Sequence, residues 1–152
     1  MKKLFVYGTL RTDMYNYKKF LKDKILQSEL AYVKGSLYEI KGVLYPALIP
    51  GDHMIAGEIM EVDDDAIFTT LDELEGYHGE ANDDNEYDKV MMDIYDDRGE
   101  IMDHLPVYVF NIRKEERKKL LSSQILEHDY VAFMAKKGNC RIRLSYHSCQ
   151  FL

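Results

Sequence analysis

Two short stretches far apart in the chain carry residue types that could do chemistry together. The first is Tyr7-Gly8-Thr9-Leu10-Arg11, which continues the apolar run Leu4-Phe5-Val6. An aromatic and β-branched run of that kind reads as a buried strand, and Gly8 ends it where the chain must turn with positive φ or approach a bound group closely. Successive amide N–H groups after such a turn can form a concave nest for an oxyanion or a carboxylate, and the Thr9 hydroxyl adds a contact. The second stretch is Leu71-Asp72-Glu73-Leu74-Glu75-Gly76-Tyr77, where Glu75 falls in the last turn of a helix just ahead of a glycine stop. Negative charge is unfavourable there, because the C-terminal end of a helix dipole is itself negative. A carboxylate so placed is a candidate general acid or base. Taken alone, each stretch is equally a strand ending in a turn, or acids on an exposed helix end.

The elements that must position these residues are read from periodicity. Residues 17–25 carry Tyr17, Phe20, Leu21 and Ile25 at the spacing of one helical face. Residues 29–49 turn aromatic and β-branched, punctuated by Gly35, Gly42 and Pro46, which predicts two or three strands with turns. Gly51-Asp52 begins another turn, and residues 54–62 read as a strand of partial alternation. Asp63, Asp64 and Asp65 suit a helix N-terminus, followed by Ile67, Phe68, Leu71 and Leu74 on one face. Residues 79–85 are small, acidic and polar, a mobile loop beside the site, with His78 three residues from Glu75. Residues 87–96 and 101–112 pair as a hairpin across Asp97-Arg98-Gly99. Short helices are expected at 114–121 and 129–137, and the alternation after Cys140 suits a late edge strand.

Composition narrows the function. The 152 residues fit one domain, 1–152, that buries roughly two thirds of its unfolded surface. A net charge of −7, with the lysines on solvated helix faces, argues against a nucleic-acid partner. No run approaches the roughly 18 apolar residues of a membrane span, and no cleavage site follows the first residues, so a soluble, cytoplasmic protein without a membrane partner is expected. Cys140 and Cys149 are then free thiols. Five scattered histidines without i, i+4 pairing provide no metal site, and neither a nucleophile elbow nor a phosphate loop occurs. Twelve tyrosines and no tryptophan predict pockets walled by rings with a hydroxyl handle.

Taken in order, Y-G-T-L-R at 7–11, Val33-Lys34-Gly35-Ser36-Leu37-Tyr38, Tyr45-Pro46-Ala47, L-D-E-L-E-G-Y at 71–77 and Val107-Tyr108 resemble the γ-glutamylcyclotransferase-like family over about the first 130 residues. The resemblance implies an α+β fold, a small mixed β-barrel with flanking helices. It also implies a pocket between the Y-G-T-L loop and Glu75, a small-molecule γ-glutamyl substrate and release of 5-oxoproline without metal or cofactor. By motif position Glu75 is the catalytic acid and base. Gly8, Thr9 and Leu10 bind substrate, and Tyr7 and Tyr108 line the pocket. Two positions depart from the family pattern: Lys89 stands where an arginine is frequent, and His128-Asp129-Tyr130 matches a G-D-W segment only loosely. Residues 136–152 have no family counterpart, which leaves open packing on the barrel, a homodimer contact or irregular chain. The rival reading is a non-catalytic binding module that keeps the same pocket for a small ligand.

Overall fold

The computed structural model describes residues 2–141, with side chains to Gly138. Strand β1 (Lys2–Val6) enters the sheet at one edge and is followed by a single π-turn, Tyr17–Leu21. Two long strands then form a hairpin, β2 (Ile25–Ile40) and β3 (Pro46–Val62). Helix α1 (Ala66–Leu74) leads to a second hairpin, β4 (Tyr87–Tyr95) and β5 (Ile101–Phe110). The short helix α2 (Glu115–Lys118), strand β6 (Leu121–Gln124) and helix α3 (Tyr130–Arg141) complete the order. Among the described residues no helix is long and apolar enough to cross a membrane.

The strands lie in the order β1-β3-β2-β4-β5, with β6 added to the end of β2. The α+β class holds, but two features of the expected barrel are corrected. Every ladder is antiparallel rather than mixed, as hairpin connections require. The barrel also stays open, because the two edge strands β1 and β5 lie side by side without a ladder. The five-residue β1 ends at the Gly8 turn, and side chains take up the seam instead. The Tyr7 hydroxyl donates to the Tyr108 carbonyl at 2.6 Å, and Lys3 approaches Asp103 at 3.9 Å.

Period-2 alternation divides the core between the two faces of the sheet. Leu4 and Val6 join Met60, Val62 and Leu21 on one face, where α1 adds Ile67 and Leu71. Phe5 and Tyr7 point the other way, to Val33, Leu37, Ile55, Ile59 and Val107, where α3 adds Tyr130.

Local differences from the sequence reading have local causes. The expected helix over 17–25 stops after one turn, closed by the Lys22 amide on the Tyr17 carbonyl at 2.9 Å, because the sheet recruits Ile25 opposite Val62. Gly35 and Gly51-Asp52 are not turns. They face each other inside the long hairpin where its register shifts, and a Cβ on Gly51 would stand 2.9 Å from the Gly35 carbonyl carbon. Strand β6 was not foreseen at all, while α3 runs past the expected stop at Gly138. The edge strand expected after Cys140 falls, apart from residues 140 and 141 at the end of α3, outside the described residues.

Gly57 shows how tightly β1 and β3 are married. A Cβ there would stand 2.3 Å from Phe5 Cζ and 2.4 Å from the Val6 carbonyl oxygen. Since one of these neighbours is backbone, Gly57→Ala is expected to cost about 1–3 kcal/mol of overpacking strain. Urea denaturation should register this as a lower midpoint at unchanged m-value, and an unchanged midpoint would contradict the packing described.

Candidate active site

A cavity of about 220 Å³ opens beside the end of β1. That is smaller than the roughly 300–1,000 Å³ typical of drug-sized sites, so it suits one small group. Tyr7, Gly8, Thr9, Leu10, Glu75 and Tyr108, the six residues singled out in the sequence, all line it. Asn16, Tyr45, Glu86 and Tyr87 also line it. Tyr45 sits in a segment that carries the family resemblance and Tyr87 opens the predicted hairpin, but the sequence gives neither a place in the pocket. Nothing in the sequence pointed to Asn16 or Glu86.

The 8–10 turn is held open by what surrounds it. Gly8 is needed for close approach rather than for positive φ, since a Cβ there would stand 2.9 Å from the Pro46 ring. The Arg11 amide donates to the Gly8 carbonyl at 3.0 Å and the Tyr17 amide to the Thr9 carbonyl at 3.0 Å, closing the turn from behind. Arg11, the last residue of the Y-G-T-L-R motif, is buried. It donates to Glu58 at 2.9 Å and to Asp129 at 2.8 Å, while the Thr12 hydroxyl donates to Glu58 at 2.5 Å. This clamp fixes the turn to β3 and to the start of α3. Among the described residues the amides of Gly8, Thr9 and Leu10 have no acceptor within the protein. The Asn16 amide donates to the Thr9 hydroxyl at 2.8 Å, so the hydroxyl keeps its own proton for something else.

Glu75 is placed by the way α1 ends. Gly76 adopts φ +62° and stops the helix in a Schellman motif, with the Tyr77 amide on the Asp72 carbonyl at 2.9 Å and the Gly76 amide on the Glu73 carbonyl at 3.1 Å. Two further backbone bonds tie this corner to the start of β4. The Glu86 amide donates to the Gly76 carbonyl at 3.0 Å and the Tyr87 amide to the Glu75 carbonyl at 3.2 Å. The loop between them is pinned rather than loose: buried Asn85 accepts from the His78 amide at 2.6 Å and donates to Gly79 and Asp88. His78 is thereby held through its backbone and is absent from the cavity wall.

The phenols around Glu75 have already committed their protons. Tyr7 donates to the Tyr108 carbonyl, Tyr87 to the Pro46 carbonyl at 2.7 Å, and Tyr108 to Asp72 at 2.5 Å. The Glu75 carboxyl is left with no hydrogen-bond or ion-pair partner among the described residues. Burial, and then the nearby Glu86 carboxylate, push its carboxyl up from 4.5 to about 8. Burial and then Glu75 raise Tyr7, burial and then Tyr7 and the two acids raise Tyr87, and burial with Glu86 pushes Tyr45 up to about 12. Among the described residues no three His, Cys, Asp or Glu side chains are grouped to hold a metal ion. The arrangement can move a proton near neutral pH opposite a set of open amide donors.

A family profile described as gamma-glutamyl cyclotransferase, AIG2-like, matches residues 4–132. The gamma-L-glutamyl-butirosin B gamma-glutamyl cyclotransferase of Niallia circulans is 37% identical over 112 residues, covering 73% of this chain and 68% of that protein. Among solved structures, YkqA of Bacillus subtilis superposes with a TM-score of 0.64 at 23% identity over 91% of this chain, which spans only 42% of YkqA. Protein PH0828 of Pyrococcus horikoshii gives 0.62 at 20% identity, covering 91% and 98% of the two chains. An AIG2-like protein of Mus musculus gives 0.57 at 20% identity, covering 82% and 88%. At these identities the structures speak for the fold.

The raised Glu75 carboxyl makes stability depend on pH in a stated direction. In the unfolded chain it ionises near 4.5, in the fold near 8. Between those values the unfolded state holds fewer protons, so stability falls as pH rises through the interval and levels off above it. At about 1.4 kcal/mol per unit, Glu75→Gln should therefore gain a few kcal/mol relative to the unsubstituted protein between pH 5 and pH 8.5. Parallel denaturant titrations at the two pH values check this; equal pH slopes would place the carboxyl in water.

Proposed function

Because the chain belongs to the gamma-glutamyl cyclotransferase, AIG2-like family, we propose that it releases 5-oxoproline from a γ-glutamyl amine or γ-glutamyl amino acid, with Glu75 as base and then acid. The observation that carries this reading is the unpartnered Glu75 carboxyl, half-buried in one cavity with the open amides of residues 8–10. The substrate brings its own nucleophile. With the glutamyl chain folded in so small a space, attack of the α-amine on the γ-carbonyl is intramolecular and gains the effective molarity of that arrangement.

The α-nitrogen forms a bond to the carbonyl carbon of the γ-glutamyl group, and the bond from that carbon to the departing nitrogen breaks. The α-nitrogen sheds two protons on the way from ammonium to lactam; Glu75 takes each in turn, giving one up to solvent and the other to the leaving nitrogen. An α-amine titrates near 7.7–8.0. A carboxyl at about 8 is therefore matched to it, and the proton can pass either way at little cost. The amides of Gly8, Thr9 and Leu10 are the donors for the substrate carboxylate or for the oxyanion that develops on the γ-carbonyl, with the Thr9 hydroxyl beside them. Tyr7 and Tyr108, whose hydroxyls are used elsewhere, serve as walls.

Assay of 5-oxoproline against a panel of γ-glutamyl amines and amino acids tests the reading. Glu75→Gln is expected to lower kcat by about 10²- to 10⁴-fold. In the unsubstituted protein kcat/KM should climb with pH through a midpoint near 8, and the variant should lack that limb. Turnover indifferent to the substitution would remove Glu75 from the mechanism. Tight ligand binding without turnover across the panel would make the pocket a binding module instead.

A further inference from the structure

We propose that Glu86 is the ammonium-binding residue of this site: its carboxylate, fixed beside Glu75 on the same cavity wall, receives the α-ammonium of the incoming γ-glutamyl group. The inference rests on the proposed reaction and adds to it a residue that the motifs do not contain. Geometry carries it. The bonds from the Glu86 amide to Gly76 and from the Tyr87 amide to Glu75 hold the two acids on adjacent backbones. Their approach is so close that a Cβ on Gly76 would stand 2.9 Å from Glu86 Cβ. Both side chains line the cavity, and among the described residues no lysine, arginine or histidine does.

A half-buried carboxylate next to a second acid is an expensive arrangement unless a cation arrives from outside. Among the described residues the charged and titratable groups around Glu86 are Glu75, the Tyr45 phenol, which hydrogen-bonds its carboxylate without neutralising it, the Tyr87 phenol, and Arg117 near Tyr45. Arg117 does not neutralise it. Its guanidinium donates to the Glu86 backbone carbonyl and to the Asn111 carbonyl, each at 3.0 Å, and stacks over Phe110. The cation the pocket awaits is therefore the ligand's. Seated against Glu86, the ammonium also lies beside Glu75. Its charge lowers the proton affinity that Glu86 and burial had raised, so Glu75 ionises when the amine it must deprotonate is in place.

Two ligands identical but for the α-amine, L-glutamine and glutaric acid monoamide, read this without depending on turnover. Calorimetry on the intact protein should show the amine-bearing ligand preferred by about tenfold or more, and Glu86→Gln should bring the two within about threefold. The fold survives the substitution because the bonds at this corner are made by the Glu86 backbone, and Glu86→Leu repeats the measurement without a polar side chain. In kinetics, Glu86→Gln should raise KM more than it lowers kcat and move the Glu75 limb of kcat/KM to lower pH. Equal preference in the unsubstituted and variant proteins would overturn the assignment, as would loss of both ligands together. An absence of 5-oxoproline release with the amine preference intact would instead sink the reaction and leave the ammonium site standing.

Discussion

A carboxyl group withdrawn from water without a cation to meet it is costly to bury, and the architecture around Glu75 is organised to tolerate that one group. A fold can lower such a cost by hydrogen-bonding the acid, pairing it or leaving it protonated. Here the nearby phenols have their protons committed to carbonyls and to Asp72, and the nearest charged neighbour is a second acid. The proton stays on, and the site holds a neutral acid near physiological pH whose loss of that proton is worth little free energy either way. What looks like a fault in the packing is the property a proton shuttle needs.

Holding an unpaired acid in place requires rigidity from elsewhere, and the backbone supplies it. The Schellman end of α1 and the two bonds to the start of β4 fix the Glu75 corner through main-chain groups alone. On the opposite wall the buried Arg11 clamp to Glu58 and Asp129 does the same for the 8–10 turn. Breaking such a partly buried network by removing one member leaves a charge without its partner, which is why the turn keeps one shape. The open seam between β1 and β5 belongs to this design. A closed ladder would use the Tyr108 carbonyl that now anchors Tyr7, and Tyr7 is part of the cavity wall.

How much of this was legible in the chain follows from which signals are local. The helix N-terminus after Asp63 to Asp65, the glycine stop at Gly76 and the hairpin across residues 97–99 are written in adjacent residues and were read correctly. The π-turn and the long β2–β3 hairpin were not, because the sheet register overrides local preference. Ile25 suits a helical face as well as a strand until Val62 lies opposite, and glycines that look like turns prove to be places where two backbones nearly touch. Strand β6, only four residues of Leu-Ser-Ser-Gln, has no periodicity to detect and exists because β2 offers it an edge. The six cavity residues were found through motif order. Asn16 and Glu86 belong to no motif and reach the wall only through the fold.

The contrast between Asp72 and Glu75 shows how far environment outweighs residue type. The two acids lie three residues apart at the end of α1, close to one turn of helix. Asp72 accepts from the Tyr108 hydroxyl at 2.5 Å and pairs with Lys89 at 3.0 Å, and that ammonium lies over the rings of Phe68, Tyr77 and Tyr108. Lys89 is the position where the family pattern frequently has arginine, and it lies off the cavity wall, so the replacement touches an ion pair rather than the pocket lining. A compact ammonium among three rings serves there without a planar fork. The lysine is thus spent on Asp72, whose bond to Tyr108 positions a ring of the cavity wall. Were the same cation one helical turn further on, it would neutralise Glu75 and hold it ionised, and the site would lose the acid half of its chemistry. The proton affinity of Glu75 therefore depends as much on Lys89 being held by Asp72, off the cavity wall, as on the glutamate itself.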